Sequence, residues 1–262
     1  MNSNADDLGS VWVRENPIGG IVATPWPKRP RRLATVLVEE LVDRLVGGEV
    51  AAGSTLPTEP VLCETFGVSR TVVREAVKSL ETMRLVSVQQ GQGTRIRPMA
   101  DWDLVNPIVL SAAVRHDADN AILEDVVDVR RTLESRMAAQ AAAHASPAEL
   151  DTIEERMADL DSSMDDATAY LKADVAFHDA IMVASRNRLG RAMVHTLTVE
   201  AYRSLRYVGD PSTEHIRLTH GAHRRILEAV VAGDSALAAA AMDEHIIDSW
   251  QRRRPAPAPR NG

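Results

Sequence analysis

Between Leu56 and Pro98 the chain reads LPTEPVLCETFGVSRTVVREAVKSLETMRLVSVQQGQGTRIRP, and its punctuation leaves few options. Thr58 can cap a helix that carries Pro60 in its first turn, where proline is tolerated. Gly67 ends that short helix, and Ser69 caps the next one, residues 70–83. Val86 and Val88 then alternate with polar residues, a Gln/Gly turn follows, and Ile96 stands between Arg95 and Arg97, which is the period-2 pattern of a hairpin. Upstream, Leu33, Val36, Leu37, Leu41, Val42 and Leu45 recur at helical spacing over 33–47, and Gly47 and Gly48 close that helix. Helix, helix, tight turn, helix, hairpin is the order of a winged helix-turn-helix.

The third helix has two rows. Val73, Ala76, Val77 and Leu80 face a core. Arg70, Arg74 and Lys78, four apart, form an outward cationic stripe. Such a stripe can be solvated surface, the more so with Glu75 and Glu81 nearby. The hairpin tilts the balance, because an α-helix fits the major groove of B-DNA, where cations meet phosphates and guanine acceptors. Arg70 and Thr71, nearest the helix N-terminus, reach deepest. Gly91, Gln92, Gly93 and Thr94 form a tip that can lie close to the sugar-phosphate backbone.

The net charge of −7 does not oppose this reading. Residues 1–100 hold 12 Lys and Arg against 11 Asp and Glu, leaving 18 against 26 for residues 101–262 of the totals of 30 and 37. The acidity belongs to the second part. A single cysteine, Cys63, excludes a disulfide framework and a cysteine zinc site. There is no apolar run of membrane length and no secretory pattern at the N-terminus, so a cytoplasmic protein without membrane contact is expected.

Residues 1–30 are expected to be a disordered arm, 31–98 the DNA-binding domain, 99–118 a linker with one short helix, 119–250 an all-helical domain and 251–262 a disordered tail. After residue 100 alanine is abundant and no strand pattern appears. Aromatics are only 3% of the chain, which favours packed helices over a β-sandwich. Helices are expected over 120–144, from Pro147 to about 165 behind a Ser146–Glu149 capping box, and over 167–186, 188–207, 213–232 and 235–250. Gly209-Asp210-Pro211 and Gly233-Asp234 punctuate the last three. The fold class is mainly α, a winged helix-turn-helix followed by a helical bundle.

Asp174 and His178 share one helix face among Val175, Ile181 and Met182. His223 and His245 lie ten residues before and twelve after the Gly233-Asp234 turn region, at similar heights on antiparallel helices. A lone histidine on an apolar face is usually a hydrogen-bonded core residue. One carboxylate and three imidazoles on three helices can instead converge on a divalent metal, zinc foremost, with nickel, manganese or iron also suited. His116, His144, His195, His215 and His220 have no such spacing and read as surface or packing. Arg130 and Glu134, four apart, read by default as a surface ion pair. The sharper reading turns Arg130 into the bundle, where its planar fork can bind a carboxylate.

The chain resembles GntR-family transcriptional regulators of the FadR type, with an FCD effector domain. The quoted 56–98 stretch matches the winged-helix signature, and VRRTLE, ADVAFHDAIMVASRN and AHRRILEAVVAGDSALAAAAMDEH match the effector domain. The resemblance implies a homodimer that reads an inverted-repeat operator, more often as a repressor, and answers to a small carboxylic or sugar acid. It also implies metal ligands at Asp174, His178, His223 and His245, an effector contact at Arg130, and Asn187 lining the same cavity. DWDLVNPIVL is similar to members that respond to sugar acids such as galactonate. Two positions depart from the family: Pro60 stands where many members have a DNA-contacting arginine, and Arg84 where glycine usually ends the recognition helix. No catalytic residue is expected. The rival readings are a metal-dependent hydrolase, disfavoured because no further carboxylate is nominated as a base, and a direct metal sensor.

Overall fold

The computed structural model describes residues 33–89, 91, 93–202 and 212–254. The expected arm, Gln92, the 203–207 end of one helix, the Gly209-Asp210-Pro211 turn and the tail beyond Arg254 lie outside them. The chain divides after His116 into two units.

In the first unit, α1 (Leu33–Val46), α2 (Glu59–Phe66) and α3 (Arg70–Thr82) precede an antiparallel hairpin of β1 (Val86–Gln89) and β2 (Gly93–Ile96). Val86 pairs with Ile96 and Gln89 with Gly93. Leu37, Leu41, Val42 and Leu45 of α1 pack with Leu62, Val73, Ala76, Leu80 and the hairpin's Val86 and Ile96 in one core. Ser69 accepts a hydrogen bond from the Val72 amide and starts α3. Thr58 sits at the N-cap position of α2 but its side chain makes no capping bond there.

The end of α3 keeps a glycine-type turn without glycine. Arg84 is left-handed, φ 62°. The Leu85 amide donates to the Leu80 carbonyl at 3.0 Å and the Arg84 amide to Glu81 at 2.9 Å, the two bonds of a Schellman motif. The turn into the wing is therefore retained, with arginine in the costly conformation.

Sequence periodicity did not reveal that residues 53–56 edge the wing. The Leu56 amide donates to the Thr94 carbonyl and the Ile96 amide to the Ser54 carbonyl. Residues 99–118, expected as linker, are folded up to His116: α4 (Pro107–Arg115) puts Val109 and Ala112 into the winged-helix core. Arg115 and His116 both reach Asp43 of α1, at 2.8 and 3.1 Å.

The second unit contains α5 (Ala121–His144), α6 (Pro147–Ser162), α7 (Ala167–Ala184), α8 (Arg188–Tyr202), α9 (Thr213–Val231) and α10 (Ser235–Arg253). The expected Ser146–Glu149 capping box is formed. Gly233 is left-handed and Asp234 caps α10, so α9 and α10 make a tight helical hairpin. α10 continues to Arg253, past the boundary at 250 expected for the disordered tail. α5 packs against α7, α8, α9 and most extensively α10. Buried Ala138 and Ala141 on α5 and Ala238 and Ala241 on α10 let those backbones approach closely, and Arg131 clips the two helices through a paired contact to Asp243, 2.9 and 3.0 Å.

Candidate functional site

On α3 Val73, Ala76 and Leu80 are buried and Val77 half-buried, while Arg70, Thr71, Arg74 and Lys78 are exposed. One outward row is therefore available to a groove. Arg74 is held: its Nε lies 3.0 and 3.1 Å from the two carboxylate oxygens of Glu59 on α2. Gly91 and Gly93 are exposed and left-handed, φ 80° and 83°, and Thr94 is half-buried. Arg95 is exposed on β2. Its signal was the alternation with inward Ile96.

In the second unit α7, α9 and α10 bring Asp174, His178, His223 and His245 together. All four are buried, and one ligand atom from each lies within 4.8 Å of the others. His178 Nε2 is 3.3 Å from His223 Nε2 and 3.0 Å from His245 Nε2. Asp174 Oδ1 is 3.1 Å from His223 Nε2. Metal bonds of about 2.0–2.2 Å put neighbouring ligand atoms about 3.0–3.4 Å apart in tetrahedral or octahedral sites, so these separations fit a single cation.

The surrounding contacts favour that fit. His178 Nδ1 meets Glu134 Oε2 at 2.6 Å. A carboxylate there only accepts, so Nδ1 carries the proton and Nε2 is left as a lone-pair donor. The Tyr170 hydroxyl faces His223 Nδ1 at 3.2 Å, and the Tyr202 hydroxyl donates to Asp174 Oδ2 at 2.9 Å. Burial pushes the His223 pKa down; burial, with the charges of His223 and His178, pushes that of His245 well below the ordinary imidazole range. For Asp174 burial alone acts upward, but the hydrogen bond from His223 and the neighbouring imidazoles outweigh it and hold the carboxyl well below the usual range. Neutral imidazoles and an ionised carboxylate are the forms a metal takes.

The Arg130–Glu134 pair is not the surface ion pair that its spacing suggested. Its side chains are 4% and 1% exposed, and Arg130 Nε donates to Glu134 Oε1 at 2.7 Å. Burial would raise Glu134, yet Arg130 and His178 bring it down to about 2. Glu134 is one site residue that sequence reasoning missed, and Tyr170 and Tyr202 are others.

Arg130 turns inward, as its sharper reading expected. With Asp174, Tyr202 and His245 it lines a cavity of about 80 Å³ whose wall also includes His215, Arg252 and Arg253. His215, read as surface or packing, belongs to this wall. The structure does not bring Asn187 to it. Asn187 precedes α8, where its side-chain oxygen accepts from the Gly190 amide at 3.0 Å, and it is not among the cavity's lining residues.

Comparison with known proteins gives the same division. Residues 33–96 match the family described as "Bacterial regulatory proteins, gntR family" and residues 125–248 match the "FCD domain". The chain is 34% identical over 205 residues to the HTH-type transcriptional regulator LutR of Bacillus subtilis, covering 77% of this chain and 92% of that one. It is 30% identical over 151 residues to the galactonate operon transcriptional repressor of Escherichia coli, covering 58% and 66%. Among solved structures, the Listeria monocytogenes regulator Lar aligns with a TM-score of 0.56 at 17% identity over 86% of this chain and 98% of that one, a likeness of fold. With a winged helix whose cations face outward and a helical domain that gathers three imidazoles and a carboxylate, this chain belongs to the GntR family of bacterial transcriptional regulators and carries an FCD effector domain.

Proposed function

We propose that this regulator is a cytoplasmic, homodimeric repressor whose grip on an inverted-repeat operator is set by a small carboxylic or sugar acid bound beside a divalent metal. The observation that carries this reading is the convergence of Asp174, His178, His223 and His245 into one buried cluster, two of whose members, Asp174 and His245, line a cavity together with Arg130. Those four residues would hold the metal, zinc foremost, with nickel, manganese or iron also suited to the set. The ion would supply fixed positive charge for an anionic ligand. Arg130, oriented by its bond to Glu134, presents its fork to the same carboxylate. Tyr202 fixes Asp174, and Glu134 fixes the ring of His178.

On DNA, Arg70, Thr71 and Arg74 contact bases or phosphates, Lys78 reaches the groove edge, and Gly91, Gln92, Gly93 and Thr94 track the backbone beside the groove. Half-sites about one helical turn apart suit a dimer. The acid favours one arrangement of the paired winged helices by its differential affinity.

The test is operator binding by gel shift with metal-loaded and chelated protein, each titrated with small acids. Release by acid in the loaded protein, lost in Arg130→Ala, is expected. If Arg130→Ala still releases operator at wild-type acid concentrations, the carboxylate contact is wrong. Response to metal alone, with no further effect of any acid, would mark a metal sensor instead. The hydrolase reading has a new obstacle: the nearby carboxylate of Glu134 is already engaged by Arg130 through one oxygen and by His178 through the other.

A further inference from the structure

The cavity beside the cluster has a charged outer end that the family likeness does not account for. Arg252 and Arg253 stand in the last turn of α10, and both line the cavity together with Arg130, His215 and Ser249. They lie beyond residue 248, where the match to the FCD domain stops. Cations in a last turn complement the helix macrodipole wherever they point around the axis, so the macrodipole explains their presence but not why both face this space. Asp174 is the one carboxylate among the described lining residues, and it is spent on the imidazole cluster. Arg252 has an Nε that is buried and makes no hydrogen bond among the described residues. Its nearest carboxylate, Asp248, is 3.8 Å from its Nη1, too long for a good hydrogen bond.

The two charged ends are apart along one helix. His245 and Arg252 are seven residues apart on α10, a rise of about 10 Å, with side chains that lean back toward the helix N-terminus. The wall also carries the apolar Leu171, Ile216 and Ile246, with the neutral hydroxyls of Tyr170, Thr219 and Ser249. Burial grades the same way: the Arg130 side chain is 4% exposed and that of Arg252 23%.

We infer that the effector is a dianion, an acid whose first carboxylate is held at the Arg130 end and whose second anionic group, carboxylate or phosphate, is held by Arg252 and Arg253. This rests on the acid-binding reading above and sharpens it, since a plain aldonate such as galactonate carries one charge and offers no second anionic group to the Arg252 Nε, which is buried without a hydrogen bond among the described residues. A buried Nε without an acceptor keeps its desolvation cost, so a charged acceptor gains more affinity there than a neutral hydroxyl does.

The experiment is calorimetric titration of the metal-loaded protein with matched pairs: galactonate against galactarate, and gluconate against 6-phosphogluconate. At least one dianion should bind ten-fold or more tighter than its monoanionic partner, and the better pair tells carboxylate from phosphate. In R252Q/R253Q that advantage should fall to about two-fold or less while monoanion affinity and metal affinity, read by chelator competition, stay put. R252K/R253K should keep most of the advantage, which separates lost charge from lost folding. Equal affinity for mono- and dianions, or a glutamine variant that weakens both alike, overturns this inference and leaves the acid-binding reading standing. Failure of every acid to bind the loaded protein overturns both.

Discussion

Glu134 joins two functions in one side chain. One oxygen orients His178, the other holds Arg130, and both contacts are buried. Removing its charge while keeping its shape, Glu134→Gln, should lower metal affinity by about 10–100-fold, measured against a chromophoric chelator. An unchanged affinity would mean that the His178 ring is positioned by packing alone. The four candidate ligands were legible in the sequence because Asp174 and His178 share a helical face and a glycine turn fixes the height of His223 against His245. Glu134 was not. Its spacing from Arg130 is that of any exposed i,i+4 pair, and on an alanine-rich helix small apolar residues on several faces blur which side is buried. Asn187 misled in the opposite sense, since an asparagine before a helix is first of all a cap. Arg84 offers a separate check. Arg84→Gly relieves a left-handed arginine and should raise the stability of the winged helix by about 1 kcal/mol in chemical denaturation.

Helix α3 presents its cations as one row because its apolar row is committed to the core through Val73, Ala76 and Leu80. Arg74→Ala should cost about 1–3 kcal/mol of operator affinity at fixed salt. Part of Arg74's reach is restrained by Glu59 of α2, so Glu59→Gln should tighten the operator complex and steepen its salt dependence, because a released guanidinium displaces one more counterion. A weaker complex would show that Glu59 positions Arg74 for DNA rather than competing with it. Elements closed by strong local signals were readable in advance: the Ser69 cap, the Gly67 turn and the Ser146–Glu149 box lie where the sequence put them. The strand-like edge at 53–56 was not, because its bonds to β2 are purely backbone and no side-chain period betrays them. The docking of α4 was hidden for a related reason: short apolar helices read alike whether they link or pack.

For the protein as a whole, the bundle was legible from composition, and its acidity from the uneven charge. Its pH response follows from burial. In metal-free protein His223 and His245 resist protonation, whereas in the unfolded chain they take up protons near pH 6.5. The unfolded state then binds more protons, so stability falls as pH drops below about 6.5, by up to about 1.4 kcal/mol per pH unit for each imidazole. Asp174 and Glu134, held below the usual carboxylate range, add a further loss below about pH 4. Denaturation of chelated protein at several pH values checks this, and a flat profile between pH 7 and 5 would contradict it. The placement of Arg130 has a mechanical side as well. It sits nine residues into α5, whose first turn follows closely on the break between the two units. At 1.5 Å per residue that arm is about 13 Å long, so a swing of about ten degrees pivoting on the buried arginine moves Ala121 by about 2 Å. Under the proposed acid binding, a stiff rod gripped near its middle would convert a small tug at Arg130 into a displacement at the start of α5.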